Sequence, residues 1–213
     1  MKKVDIHEKY LGIPTIVGRS KKSVFTTLKD SIWKKLQGWK EKLLSRAGKE
    51  VLLKAVIQAI PTYLMGVYRI PIGVSDEIKS MTARFWWGDS RNGGRVHWKS
   101  WDLLCAPKCL GCLGFKDLAV FNTALLGKQA WRLLHALNSL FARVFKSKYN
   151  PNSDFLDSYL GRGGSYSWNS IWGSKSLLKE GLIWRVGNRT RIRVWDDPWV
   201  GDDRGRFLGI LIS

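Results

Sequence analysis

The chain has 213 residues, 45% of them apolar and 12% aromatic, enough for a sizeable core and too many for a disordered segment. Lys and Arg number 36 against 17 Asp and Glu, a formal charge of +19, so composition favours a polyanionic partner: nucleic acid, an anionic membrane surface or an acidic protein. The longest apolar-leaning run, Val51 to Gly73, contains Lys54, Gln58, Arg69 and two prolines, which argues against a membrane span. The N-terminal "MKKVDIHEKYLG" lacks the apolar stretch of a signal peptide.

In chain order, "YLGIP" (Tyr10 to Pro14) reads as a short strand or extended segment. Ser20 then reads as an N-cap, and Val24, Leu28, Ile32, Leu36 and Trp39 follow at helical spacing, with lysines between them. A second helix is expected over 50–63, with Val51, Leu52, Ala55, Val56, Ala59 and Ile60 as its apolar face and Pro61 kinking or ending it. A third is expected from a cap at Ser75 to a stop at Gly88. The Asn-Gly-Gly stretch after it is a loop, and "SWDLLC" a helical turn closed by Pro107. A long helix is expected over 117–135, a shorter one over 140–149, a loop over 157–166, and a further helix over 168–178. "LIWRVGNRTRIRVWDDPW" then switches to alternation about Gly187-Asn188, the signature of a β-hairpin. The fold class is therefore mainly α with a small C-terminal β-hairpin, and a break is expected near residue 90.

Residues 1–60 carry 14 basic and 5 acidic side chains, whereas the last 64 residues carry nine and seven. Positive charge thus concentrates on the first helices, and again over 114–149, where six basic residues face one acid. Lys35 and Lys42, seven apart, share one face if the helix continues to both. A groove between basic helices can follow a phosphate backbone without reading sequence.

Chemistry is harder to find. Cys105, Cys109 and Cys112, with His97 upstream, lack the paired spacing of a structural zinc site, so no metal is expected and free thiols are the default. Asp196-Asp197 and Asp202-Asp203 are adjacent pairs that do not converge by themselves, and no Gly-rich phosphate loop or base–nucleophile pair is recognisable. No catalytic residue and no cofactor is expected.

The segments "YLGIP", "WKKLQGWKEKLLSRAGKEVLLKAVIQAIPTYLMGVYRIP", "RFWWG", "VHWKSWDLLCAPK", "LGFKDLAVFNTALLGKQAWRLL", "SLFARVFKSKY" and "IWRVGNRTRIRVWDDPW" together resemble the C-terminal part of plant LINE-type (non-LTR) retrotransposon reverse transcriptases. The resemblance covers about residues 9–200, with Cys112 and Arg189 standing where the family usually has glycine. It implies a thumb-like helix bundle over 1–90, a helical connector with the hairpin over 91–200 and a tail over 201–213. It also implies a truncated region without the palm, because the Tyr-x-Asp-Asp metal-binding motif of the polymerase is absent from this sequence. The function so implied is sequence-independent gripping of primer–template, RNA or DNA. Lys29, Lys34, Lys35, Lys40, Lys42 and Lys49 are the phosphate contacts. Trp87 and Trp98 are the candidates for base stacking and for partial exposure among Trp86, Trp87, Trp98 and Trp101, with packing the favoured role of the four rings. The alternatives are a domesticated module binding a protein partner through exposed apolar helices, or a non-functional relic. No localisation signal stands out and nothing indicates secretion; the sequence does not fix the compartment, and the nucleus is compatible with an element that integrates into chromosomal DNA.

Overall fold

The computed structural model describes residues 9–10, 13–14, 21–40, 42, 44–88, 99–161 and 163–182. The expected hairpin, Trp98 and the middle of the loop near residue 90 lie outside these residues. Among the described residues the fold is mainly helical, and the chain divides into two compact units: 1–65 with 70–122, and 66–69 with 123–213. The first unit thus continues past the break expected near residue 90, because the chain beyond that loop packs back onto the same helices: the Phe115 ring meets Trp86 edge-on at 5.5 Å.

In the first unit, β1 (Lys9–Tyr10) pairs antiparallel with β2 (Ile13–Pro14). Helix α1 (Lys21–Lys40) buries Val24, Leu28, Ile32 and Leu36 of the expected stripe and Phe25 besides, with Trp39 half-buried at its end, and packs against α4 (Ile72–Trp87). Ser45 caps α2 (Arg46–Leu52) by accepting the Gly48 N–H through its hydroxyl. The helix does not run straight to Tyr63. It passes into a π-helical turn over Leu53–Ile57, in which the Gln58 N–H reaches the Leu53 carbonyl, and resumes as α3 (Thr62–Met65). That wider turn shifts the buried register. Leu53 and Ile57 fill the core, and Val51, expected on the apolar face, is 62% exposed, with Ala55 and Ala59 also outside. Pro61 precedes α3, where its missing N–H costs nothing, and its carbonyl accepts the Met65 N–H.

Helix α4 starts a turn earlier than expected. Pro71 is its N-cap residue, and the Pro71 carbonyl takes the Val74 and Ser75 N–H groups, so Ser75 lies buried inside the first turn. Gly88 ends the helix at φ +94°, a conformation open to glycine, as its position suggested. Ser100 caps α5 (Trp101–Cys105), and Pro107 follows it as expected. A 3₁₀ turn over Lys108–Leu110 leads to Phe115 in the core.

Helix α6 (Leu118–His135) is capped by Asp117, whose carboxylate accepts the Ala119 and Val120 N–H groups. Its first residues belong to the first unit and the remainder, from Thr123, to the second. There α6 meets α7 (Leu140–Tyr149), a 3₁₀ turn over Phe155–Asp157, α8 (Tyr166–Trp172) and α9 (Lys175–Gly181) around Leu126, Ala130, Leu133, Phe155, Trp168 and Ile171. Trp168 lies fully buried, its indole stacked on Tyr149 at 4.6 Å and 7°. The single helix expected over 168–178 is two helices. The chain turns at Gly173 and Ser174, where the buried Ser174 hydroxyl donates to the Ile171 carbonyl and closes α8.

Candidate nucleic-acid interface

Helix α1 carries six lysines and one carboxylate, Asp30. Burial of the Val24–Leu36 stripe turns most of that charge outward: Lys22, Lys34, Lys35 and Lys40 are exposed. Lys34 and Lys35 have no acidic partner among the described residues. Lys29 does: its ammonium lies 2.5 Å from the Glu77 carboxylate on α4, so it ties α1 to α4. Lys42 is exposed but stands beyond the last residue of α1, in a turn closed by its N–H on the Trp39 carbonyl. The helical register that would place it on the face of Lys35 therefore ends at Lys40.

Lys49 turns inward. Its ammonium donates to the Phe85 carbonyl at 3.3 Å and sits 5.4 Å from the Phe85 ring centre. Beside it, Arg46 donates to the Trp86 carbonyl at 3.1 Å and covers the Trp86 and Trp87 rings at 5.4 and 5.5 Å. The two cations close the C-terminal end of α4, where unsatisfied carbonyls and the helix dipole favour positive charge. They are fold contacts, and nothing local in the sequence separates them from the outward lysines, because their partners lie 36 to 40 residues away.

The tryptophans follow the same logic. Trp87 is 6% exposed and Trp86 equally buried; they meet edge-on at 6.4 Å, which corrects the expectation that Trp87 is partly open for stacking. Half-buried Trp101 stacks on Phe115 at 4.9 Å. The ring that is open on the basic helix is Trp33, which is not among the expected stacking candidates. It is 42% exposed, with the Lys40 ammonium 5.6 Å from its centre. Its position one residue after Ile32, off the buried stripe, is the signal that could have found it. Helical geometry lines up Lys22, Lys29, Trp33 and Lys40 along one edge of α1.

The cysteines carry free thiols. Burial pushes the Cys105 thiol up to about 11, and nearby Asp117 and Asp102 add to the rise, so at neutral pH it is protonated and a poor nucleophile. No group of His, Cys, Asp and Glu among the described residues could hold a metal ion, and no helix there is long and apolar enough to cross a membrane.

A basic, mainly helical chain with one lysine-rich helix turned outward is the class that these observations define. Compared with known proteins, the chain is 36% identical over 146 residues to an uncharacterized mitochondrial protein of Arabidopsis thaliana, a match covering 68% of this chain and 95% of that protein. It is 32% identical over 191 residues to a second Arabidopsis thaliana protein, which carries the name of a ribonuclease H protein; here 88% of this chain aligns with 31% of the relative's length. The chain belongs to the same family as the first of these plant proteins, and it spans about a third of the second. No family model and no solved structure matches it.

Proposed function

We propose that the chain is a non-catalytic part of a retrotransposon-derived reverse transcriptase and holds nucleic acid by its phosphates through the outer face of α1. The observation that carries this reading is the pair Lys34 and Lys35, exposed and without acidic partners among the described residues, on a chain of charge +19. Lys40 and the Trp33 ring lie along a separate edge of the same helix, beside Lys22, and offer a further cation and an aromatic surface there. Lys29 and Lys49 play structural parts instead. The name of the longer relative, a ribonuclease H protein, supports nucleic acid as the polyanion. Because phosphates repeat regardless of sequence, the grip is indifferent to base identity and steep in salt.

Binding of a labelled RNA–DNA hybrid, titrated at several salt concentrations, tests the proposal. The expected result is a linear fall of log K with log salt, about 0.9 units per phosphate neutralised, unchanged when the sequence is shuffled. Binding that ignores salt, or that requires one sequence, would overturn it.

A further inference from the structure

In the first unit, α4, α5 and the first turn of α6 enclose a cleft of about 70 Å³. One water needs about 10–15 Å³ on the same measure, so the space suits several waters or the edge of one ring. Gln58 and Ser75 line it. They are 5% and 6% exposed, and neither side chain has a hydrogen-bond partner among the described residues. Both side chains are thus more than nine-tenths buried, and the access that their polar groups keep is to the cleft, where water or a ligand supplies the missing hydrogen bonds. Trp101, already stacked on Phe115, forms part of the wall. The charged side chains around it balance, Asp76 and Asp117 against Lys79 and Lys116, on a protein that is otherwise strongly basic. With those charges balanced, the rim gives a phosphate no net attraction, and a neutral ligand needs none.

We propose that this cleft binds the edge of a nucleobase. A carboxamide offers a donor and an acceptor side by side, the complement of the adenine N6–N7 edge, and an indole wall suits a planar ring. The site is separate from the lysine face of α1 and would add a contact to a base where α1 holds only phosphates.

Adenosine separates the two, because it carries no phosphate for the α1 lysines. The experiment follows the Gln58 side-chain amide and the Trp101 indole N–H by ¹H–¹⁵N NMR during titration with adenosine, and in parallel with inorganic phosphate. Saturable shifts of both signals with adenosine alone are expected. Gln58→Met, which keeps the side-chain length and removes both hydrogen-bonding atoms, should weaken binding at least tenfold. Where Gln58→Met fails to fold, Trp101→Leu replaces it with the same expectation, read on the Gln58 amide. No shift up to the solubility limit of adenosine, equal shifts with phosphate, or undiminished binding by the folded variant would overturn the proposal. Lys34→Gln with Lys35→Gln should leave the adenosine shifts unchanged, so failure of either reading leaves the other standing.

Discussion

Asn122 is 3% exposed on α6, and its carboxamide joins two distant backbone groups. Oδ1 accepts the Ile70 N–H at 2.8 Å, and Nδ2 donates to the Met65 carbonyl at 2.8 Å. Met65 and Ile70 bracket residues 66–69, the short segment that leaves the first unit, and Asn122 is the last residue of that unit before the chain leaves again. Asn122→Leu has nearly the same size and neither hydrogen-bonding function. It strands one buried N–H and one buried carbonyl. Each stranded group costs about 1–3 kcal/mol, so the variant should lose about 2–6 kcal/mol. A typical domain is stable by only about 5–15 kcal/mol, so the loss reaches a large share of the total. Two readouts check it. Denaturant unfolding gives the overall loss. Hydrogen exchange at Ile70 gives the local one: the amide should be protected in the wild type and should exchange at least about tenfold faster in the variant, tenfold corresponding to about 1.4 kcal/mol. A variant within about 0.5 kcal/mol of wild type, the scatter of ordinary surface substitutions, with Ile70 exchange unchanged, would refute the reasoning.

Three further outcomes follow from local geometry. Arg46→Ala removes the cation from the carbonyl end of α4; as Arg46 is exposed, the loss should be about 1 kcal/mol by thermal melting, with no change in the salt slope of nucleic-acid binding. Gly164→Ala drives a methyl into Asn169 Oδ1 and to 2.8 Å from Trp168 Cδ1, and should cost about 1–3 kcal/mol in unfolding experiments; a variant as stable as wild type would refute this. Thiol alkylation followed by mass spectrometry at pH 8 should modify exposed Cys109 well before Cys105. Cys105 reactivity should rise only as pH approaches about 11, because the thiolate is the reacting form; equal rates at pH 8 would contradict the burial of that thiol.

What was legible in the sequence lay in local signals. The Val24–Leu28–Ile32–Leu36 stripe of α1, the helical turn over α5 closed by Pro107, the Asp117 start of α6 and the Gly88 stop of α4 are patterns of neighbours within a few residues. What was misread depends on distant partners. No residue type announces the π turn at Leu53–Ile57, which rotates the apolar face expected over 51–60. Ser75 has the chemistry of a cap, but the Pro71 carbonyl takes the first N–H groups. Among the lysines, sequence spacing could not separate Lys29 and Lys49, committed to Glu77 and Phe85, from Lys34 and Lys35, which face outward. Trp87, a candidate for partial exposure among rings expected mainly to pack, lies buried under Arg46. Nothing in the sequence brings Gln58 and Ser75 together, since the cleft that they line exists only in the folded chain.

The most direct test of the proposed phosphate grip compares two double variants across a salt series with the same RNA–DNA hybrid. Lys34→Gln with Lys35→Gln removes two charges from the outer face of α1; Arg191→Gln with Arg193→Gln removes two from the near-balanced last 64 residues. A defined site on α1 predicts that the first pair lowers affinity for all sequences alike and flattens the log–log salt slope by about two units, one for each phosphate no longer neutralised, while the second leaves both nearly unchanged. Equal reductions from the two pairs would contradict it and leave net charge alone as the cause of binding.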